Sequence, residues 1–170
     1  MRRLTAFALL LCSAACNKPQ YVRPAPSGEE LRIASVILTG DESSVIQLVR
    51  GFHQVESGWR WTKGAFAVTL RAPKDAADKG AALAVHSFLP EGMIEKLGPM
   101  KVSVRVSGTA IGSETFSKNG DSKWRMDLAP NVFRDEAITI EFALDKFHAA
   151  GSIEPRELGL IAYSFALEAK

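Results

Sequence analysis

Cysteine is nearly absent from this chain, since only Cys12 and Cys16 occur among its 170 residues. Both lie close to the N-terminus, so no disulfide can join two parts of the long segment that follows them. That segment must be stabilised by its hydrophobic core, and a chain of this length is long enough to build one as a single domain.

Long apolar runs are also missing beyond the first segment of the chain. The run at residues 4–11 is about half the length that a membrane-spanning helix needs, roughly 20 residues. Arg2 and Arg3 precede this run, and the small residues of the Cys12-Ser-Ala-Ala stretch follow it. This is the layout of an export signal peptide, so we predict an exported protein without a transmembrane helix.

A strong excess of one charge is absent as well. The chain carries 21 Lys and Arg against 19 Asp and Glu, and Arg2 and Arg3 of the signal segment account for the whole positive excess. A neutral body gives no electrostatic reason to expect binding to nucleic acid or to an anionic lipid surface.

Sequence motifs of catalysis and of metal binding are missing too. There is no GxSxG nucleophile, no HExxH pair and no phosphate-binding glycine loop, and His53, His86 and His148 stand far apart. We therefore predict a protein that is not an enzyme and has no metal or other cofactor. A pair of carboxylates assembled only by the fold would make a small hydrolase the weaker alternative. The loop at residues 119–121 (Asn-Gly-Asp) is either a calcium-donor loop or simply a hairpin turn.

The residues that lead up to Cys16 are informative about location. Ala14, Ala15 and Cys16 resemble the bacterial lipobox, in which the cysteine sulfur receives diacylglycerol and becomes the first residue after cleavage. Ser13 departs from that pattern, because an aliphatic residue usually stands there, and ordinary cleavage after Ala15 is the alternative. Lipidation would also remove a lone free thiol from an exported protein. The bilayer would then be a partner of the protein through acylated Cys16.

We predict three parts: a signal peptide at residues 1–15, a lipidated cysteine with its tether at 16–30, and one domain at 31–170. The tether is rich in proline and polar residues, which favour an extended path over a helix. Asn17 follows the cysteine, and the lipobox resemblance implies that only an aspartate there strongly retains a lipoprotein at the inner membrane. We expect a protein at the periplasmic face of a membrane, with the outer membrane preferred.

From residue 31 onward, apolar and polar side chains alternate with a period of two. The clearest cases are Val102, Val104 and Val106 in one segment, and the row from Ile138 to Leu144 in another. We predict strands at residues 31–39, 45–52, 59–71, 81–89, 101–107, 111–116, 124–128, 137–144 and 158–167. The segment 59–71 holds either one strand or two, with a turn near Lys63-Gly64. Residues 90–97 are predicted as a helix of about two turns, and residues 75–79 as one more turn.

Regularly spaced short strands with little helix predict an all-β fold, an antiparallel β-sandwich of about eight or nine strands. Two blocks of residues then suggest a family. The first contains Gly51-Phe52, Glu56 and Trp59-Arg60-Trp61-Thr62, and the second contains Asp145, Phe147 and Pro155-Arg156-Glu157-Leu158-Gly159. In this order they resemble a jelly-roll module of bacterial envelope proteins that occurs alone or attached to glycosyltransferases. The resemblance covers residues 34 to 168 and implies a sandwich similar to galactose-binding-like domains.

Trp59 and Trp61 are the first candidate ligand contacts. Residues two apart on a strand face the same side, so the two indoles are adjacent. Two coplanar rings would stack on a sugar, because an aromatic face suits the apolar side of a pyranose. The simpler interpretation, which we favour, is that at least one indole fills the core. Trp124 carries the same two alternatives.

Glu56 and Arg156 come from the two blocks of the resemblance. An arginine and a carboxylate can form a bidentate pair, which here would join the Trp59 segment to the start of the last strand. The functional alternative is that Arg156, Glu157 and Asp145 bind sugar hydroxyls at one rim of the sandwich. We favour the structural pair.

Two functions follow from these features. The first is a membrane-anchored envelope lipoprotein that binds a cell-surface glycan without catalysis. The second is a structural or protein-interaction module that assists an envelope glycosyltransferase or a secretion complex. A contiguous exposed apolar surface would favour the second function.

Overall fold

The computed structural model describes residues 33–170, so the signal segment, Cys16 and the tether lie outside the described residues. The strands are β1 (Val36–Leu38), β2 (Leu48–Glu56), β3 (Trp59–Arg71), β4 (Ala81–Leu89), β5 (Met100–Val106), β6 (Thr109–Phe116), β7 (Gly120–Leu128), β8 (Ala137–Leu144) and β9 (Ile161–Ala169). Two short α-helices, α1 (Ala76–Lys79) and α2 (Met93–Leu97), and two 3₁₀ helices (Glu42–Gln47 and Pro130–Val132) lie in the connections. Within residues 33–170, no helix is long and apolar enough to cross a membrane.

All strand pairs are antiparallel, and the hydrogen-bonded order is β6-β5-β8-β3-β9-β4-β7, with β1 beside β9 and β2 beside β3. The strands form two facing layers, because Trp124 of β7 and Phe142 of β8 are far apart in this order and yet their ring centroids are 6.5 Å apart. One layer contains β6-β5-β8 and the end of β3, and the other contains β7-β4-β9-β1 and the start of β3. The predicted all-β antiparallel sandwich is confirmed.

Three phenylalanine rings lie at the centre of the core. Phe66 and Phe142 are cross-strand partners whose rings stack at 4.8 Å. Phe165 of the opposite layer reaches to 5.4 Å from Phe142. All three are almost fully buried, and burying one such side chain stabilises a fold by about 1.5–3 kcal/mol.

The predicted alternation holds along β5 and β8. Val102, Val104 and Val106 are buried, whereas Arg105 between them is exposed. In β8 every second residue from Ile138 to Leu144 is buried. The period of two therefore identified the core face of both strands.

The predicted strand at residues 45–52 is wrong at its start, because residues 45–47 belong to the first 3₁₀ helix and β2 runs from Leu48 to Glu56. Gln47 is the physical reason. Its Nε2 donates to the carbonyl oxygens of Ala34 and Thr69 at 2.9 and 2.8 Å, and its Oε1 accepts from the Ala34 N–H at 2.9 Å. These bonds turn the Gln47 side chain inward, where it is 2% exposed.

The alternative of a turn near Lys63-Gly64 is also wrong, because β3 is one strand of 13 residues. Gly64 lies where β3 changes its neighbour, since residues 60–61 pair with β9 and residues 65–71 pair with β8. The ring of Phe147 packs against Gly64 and takes the space of a side chain there.

The predicted helix at residues 90–97 is shorter in the structure, where α2 covers Met93–Leu97. Gly92 precedes it with a left-handed φ of 80°, so the helix cannot begin earlier. The predicted turn at residues 75–79 corresponds to α1.

Candidate ligand-binding site

Trp59 and Trp61, together called the tryptophan rim, lie on the outer face of the sandwich. Trp61 pairs with Ile161 of β9, which pairs in turn with Phe88 of β4. Cross-strand partners share a face, and Trp61 and Phe88 are only half-buried, although Ile161 between them is buried. Both indoles are half-buried at the surface, so the expectation that at least one of them fills the core is wrong.

The two indoles do not form a flat platform. Their ring centroids are 6.3 Å apart and their planes meet at 80°, so the edge of one ring meets the face of the other. The expected coplanar arrangement is therefore wrong. An edge-to-face pair leaves one indole face for a single sugar ring.

The β2–β3 hairpin fixes the position of Trp59. Glu56 and Trp59 close a two-residue turn in which Ser57 and Gly58 both have positive φ, 48° and 89°. Such a turn matches the twist of the strands on either side. Gly40 packs closely against the turn of the hairpin, because a side chain at Gly40 would collide with the backbone of Gly58.

Arg156 brings together two carboxylates beside this hairpin, and Arg156, Glu56 and Glu154 are called the arginine cluster. Arg156 Nη1 donates to Glu56 Oε1 at 2.6 Å, and Arg156 Nε donates to Glu154 Oε1 at 2.9 Å. Arg156 Nη2 donates to Glu154 Oε2 at 3.1 Å. The structure thus places Glu56 and Arg156 in contact, and the bidentate partner is Glu154.

Hydrogen bonding shifts the acidity of the cluster. The side chain of Arg156 and then its backbone N–H stabilise the charged form of Glu154 and lower its pKa from 4.5 to about 2. The same bond, followed by the one to Glu56, raises the pKa of Arg156 further. Two carboxylates and one guanidinium leave the cluster with a negative formal charge at neutral pH, and its oxygens can accept hydrogen bonds from hydroxyl groups.

The loop that carries Arg156 is tied down by backbone contacts. Glu157 Oε1 accepts from the Gly64 N–H at 2.7 Å, and the ring nitrogen Nε2 of His53 lies 2.6 Å from the Glu157 carbonyl oxygen. Arg60 points to the other side of β3 and donates to the carbonyl oxygens of Thr39 and His53. The loop therefore presents Arg156 from a fixed position.

The other two candidate ligand contacts lie apart from this site. Asp145 caps the end of β8, because its Oδ1 accepts from the Lys101 N–H at 2.7 Å and its own N–H donates to the Lys101 carbonyl at 3.0 Å. Trp124 is 7% exposed and belongs to the core. A buried ring cannot stack on a ligand, so the hypothesis that Trp124 binds one is wrong.

Sequence reasoning missed two contributors to this end of the sandwich. Glu154 lies only two residues before Arg156. Its position directly before the second resemblance block was the one feature of the sequence that could have indicated its contact with Arg156. The rings of His86 and Tyr163 contact each other on the outer face of the β7-β4-β9 layer, with centroids 4.6 Å apart and planes tilted by 37°. His86 Nε2 also lies 2.5 Å from Asp121 Oδ1. The pairing of β4 with β9 brings these two rings together, which no local pattern indicates.

The predicted hairpin turn at residues 119–121 is wrong, because β6 and β7, which this segment connects, lie at opposite ends of the hydrogen-bonded strand order. Asn119 Nδ2 donates to both carboxylate oxygens of Glu95 at 2.8 and 2.7 Å, and its Oδ1 accepts from the Ile94 N–H at 3.0 Å. These bonds join the β6–β7 connection to α2. Among residues 33–170 there is no group of three or more His, Cys, Asp or Glu side chains placed to hold a metal ion.

Comparison with known proteins gives similarity at the level of solved structures. No protein-family model matches the chain, and no curated protein matches its sequence. A CBM36-1 domain of a multidomain xylanase from the hindgut metagenome of Trinervitermes trinervoides matches with a TM-score of 0.46 and 8% identity over 79% of this chain and 96% of that one. The CBM51-2 and INT domains of Clostridium perfringens ZmpB, solved with GlcNAc, match with a TM-score of 0.37 and 11% identity over 79% of this chain and 28% of that one. At these scores the matches say nothing of what this chain binds.

Proposed function

We propose that this protein is an exported lipoprotein, anchored through acylated Cys16, whose sandwich binds a neutral envelope glycan at the tryptophan rim. The observation that carries the proposal is the placement of Trp59 and Trp61. A tight hairpin holds both indoles half-buried on the outer face, beside the hydrogen-bond acceptors of the arginine cluster.

The chemistry of the site favours a neutral sugar over an acidic one. One indole face would cover the apolar C–H side of a pyranose, and the oxygens of Glu56 and Glu154 would accept bonds from its hydroxyls. The negative formal charge of the arginine cluster would repel a uronic acid or a phosphorylated sugar. One indole contact and a few exposed hydrogen bonds supply a few kcal/mol, which corresponds to a dissociation constant of about 1 mM.

Glycan binding is tested by titrating neutral and acidic envelope polysaccharides against the wild-type protein, Trp59→Ala and Trp61→Ala. At least one substitution should weaken binding to the neutral polysaccharide about tenfold or more while the melting temperature barely changes. Trp124→Phe is the matched control, because that ring lies in the core and binding should persist. Unchanged binding in both rim variants would show that the glycan binds elsewhere on the protein. A large fall in the melting temperature would show that the two indoles have a structural role.

Anchoring is tested by mass spectrometry of the mature N-terminus. We expect a diacylglyceryl mass on Cys16 and a membrane-bound protein that Cys16→Ser releases. An unmodified N-terminus after cleavage at Ala15 would show that the protein is exported without a lipid anchor. Fractionation of the two membranes tests the outer-membrane location suggested by Asn17.

A second candidate function is docking onto an envelope membrane protein, such as a glycosyltransferase or a secretion component. It is favoured by an aliphatic strip of exposed side chains on β1, the first 3₁₀ helix and β2, which contact one another. The strip consists of Val36, Leu38, Val45, Ile46 and Val49, each about half exposed. A membrane protein that co-purifies with the wild type and is lost in Ile46→Ser, together with no binding on a glycan array, would favour docking.

A further inference from the structure

The end of the sandwich opposite the tryptophan rim carries a basic cleft. Trp61 lies near the start of β3 and Arg71 at its end, so about 33 Å separates them at the usual rise of a strand. The cleft is an open depression of about 550 Å³, lined by residues from the end of β3, α1 and the segment before β8. Phe133 is a buried member of its lining, and the Ala72 N–H donates to the Glu136 carbonyl at 2.8 Å across it.

Three cationic side chains line this cleft: Arg71, Lys74 and Arg134. All three are exposed, and none of them takes part in the ion pairs found between residues 33 and 170. Asp135 and Glu136 also line the cleft and are equally absent from those pairs. Three cations against two carboxylates leave the cleft with a positive formal charge, and its guanidinium groups make no ion pair within residues 33–170.

The chain joins the domain at this same end. The Arg71 N–H donates to the Ala34 carbonyl at 3.0 Å, and Cys16 precedes Ala34 by about 18 residues. Even a fully extended chain of that length spans only about 60 Å. An anchor on Cys16 would therefore keep the basic cleft within about 60 Å of the bilayer surface.

We propose that the basic cleft binds a phosphate group and that its physiological source is the phosphate of a phospholipid headgroup. Arginine forks suit phosphate oxygens, and a lysine adds a point charge. The choice of a lipid source rests on the proposed anchoring, whereas phosphate binding by the cleft does not. The near-zero net charge of the whole body does not oppose this, because a short-range site depends on the local arrangement of its charges.

Weak intrinsic affinity is sufficient for such a site. A connection of about 18 residues to an anchored cysteine gives a tethered site an effective concentration in the millimolar range. A phosphate site with a millimolar dissociation constant would therefore be occupied in the anchored protein. With the cleft on the membrane, the tryptophan rim would point away from the bilayer.

Phosphate binding is tested by titrating inorganic phosphate into the Cys16→Ser full chain at constant ionic strength and following backbone amide shifts. We expect shifts at Arg71, Lys74 and Arg134, with at least a fivefold loss of affinity in Arg71→Gln/Arg134→Gln. Lys123→Gln is the control, because it removes an exposed cation outside the cleft. Asp135→Asn/Glu136→Gln should bind phosphate at least fivefold more tightly, a gain that misfolding cannot produce. No binding by the parent chain, or equal affinity in all variants, would overturn the site.

The source of the phosphate is tested with vesicles. The Cys16→Ser chain should co-sediment with phosphatidylglycerol vesicles more than with phosphatidylcholine vesicles, and Arg71→Gln/Arg134→Gln should lose that preference. Phosphate binding without co-sedimentation with either kind of vesicle would overturn the lipid source and leave a soluble phosphate ligand. An unmodified Cys16 in the mature protein would contradict the anchoring proposal. It would not affect the conclusion that the phosphate titration gives about the cleft.

Discussion

The ring of Phe147 fills the space in which a side chain at Gly64 would stand. Gly64 lies where β3 leaves its pairing with β9 and begins its pairing with β8. The loop after β8 therefore packs directly onto the strand at the point where the two layers share it. The same loop carries Arg156, so this contact also helps to place the arginine cluster.

Gly64→Ala should destabilise the fold by about 1–3 kcal/mol, because the added methyl group must displace the Phe147 ring from a packed position. Urea unfolding of the two proteins measures the difference. Gly151→Ala is the matched control, since nothing lies within 4 Å of a side chain there. Equal destabilisation by both substitutions would mean that Phe147 moves aside without cost.

Gln47→Ala should lower the free energy of unfolding by about 3 kcal/mol. The substitution leaves the Ala34 N–H and the Thr69 carbonyl without their Gln47 partners, whereas the Ala34 carbonyl keeps its bond from the Arg71 N–H, and each unsatisfied buried group costs about 1–3 kcal/mol. Some of that cost disappears where water reaches the exposed side of Ala34. Gln54→Ala, at an exposed position of β2, should be nearly neutral in the same urea experiment.

Trp124→Ala should cost about 3–5 kcal/mol, as expected for removal of a large aromatic side chain from a core. Trp124→Phe should cost clearly less, because Trp124 Nε1 has no hydrogen-bond partner among the described residues. Urea unfolding separates the two variants. Equal losses would show that Phe cannot fill the indole site.

Acid should weaken the contribution of Glu154 to stability. The pKa of Glu154 is lowered from 4.5 to about 2 in the folded protein by its bonds to Arg156. A lowered pKa contributes stability that is fully present above about pH 4.5 and is lost as the pH falls toward 2. The urea midpoint of the wild type should therefore fall between pH 5 and pH 2.5 more steeply than that of Glu154→Gln. Glu91→Gln, which removes a carboxyl outside the arginine cluster, should keep the wild-type slope.

The fold was predictable from the sequence where alternation alone decides it. Val102 to Val106 and Ile138 to Leu144 each have one apolar face, and a strand with one such face has one way to bury it. Gln47 was not predictable, because its inward turn depends on bonds to Ala34 and Thr69 from other segments.

The site was less predictable than the core. The spacing of Trp59 and Trp61 correctly gave them a shared face, but which face became the surface depends on pairing with β9, 100 residues later in the chain. The pairing of Glu56 with Arg156 was anticipated from two sequence blocks, whereas the dominant role of Glu154 depends on the conformation of a loop.

Because β3 is one unbroken strand shared by both layers, neither layer can open without disturbing hydrogen bonds of the other. We expect the domain to unfold as a single cooperative unit. In native-state hydrogen exchange, the slowest amides of β8 and of β4 would then report the same opening free energy, although these strands lie in opposite layers.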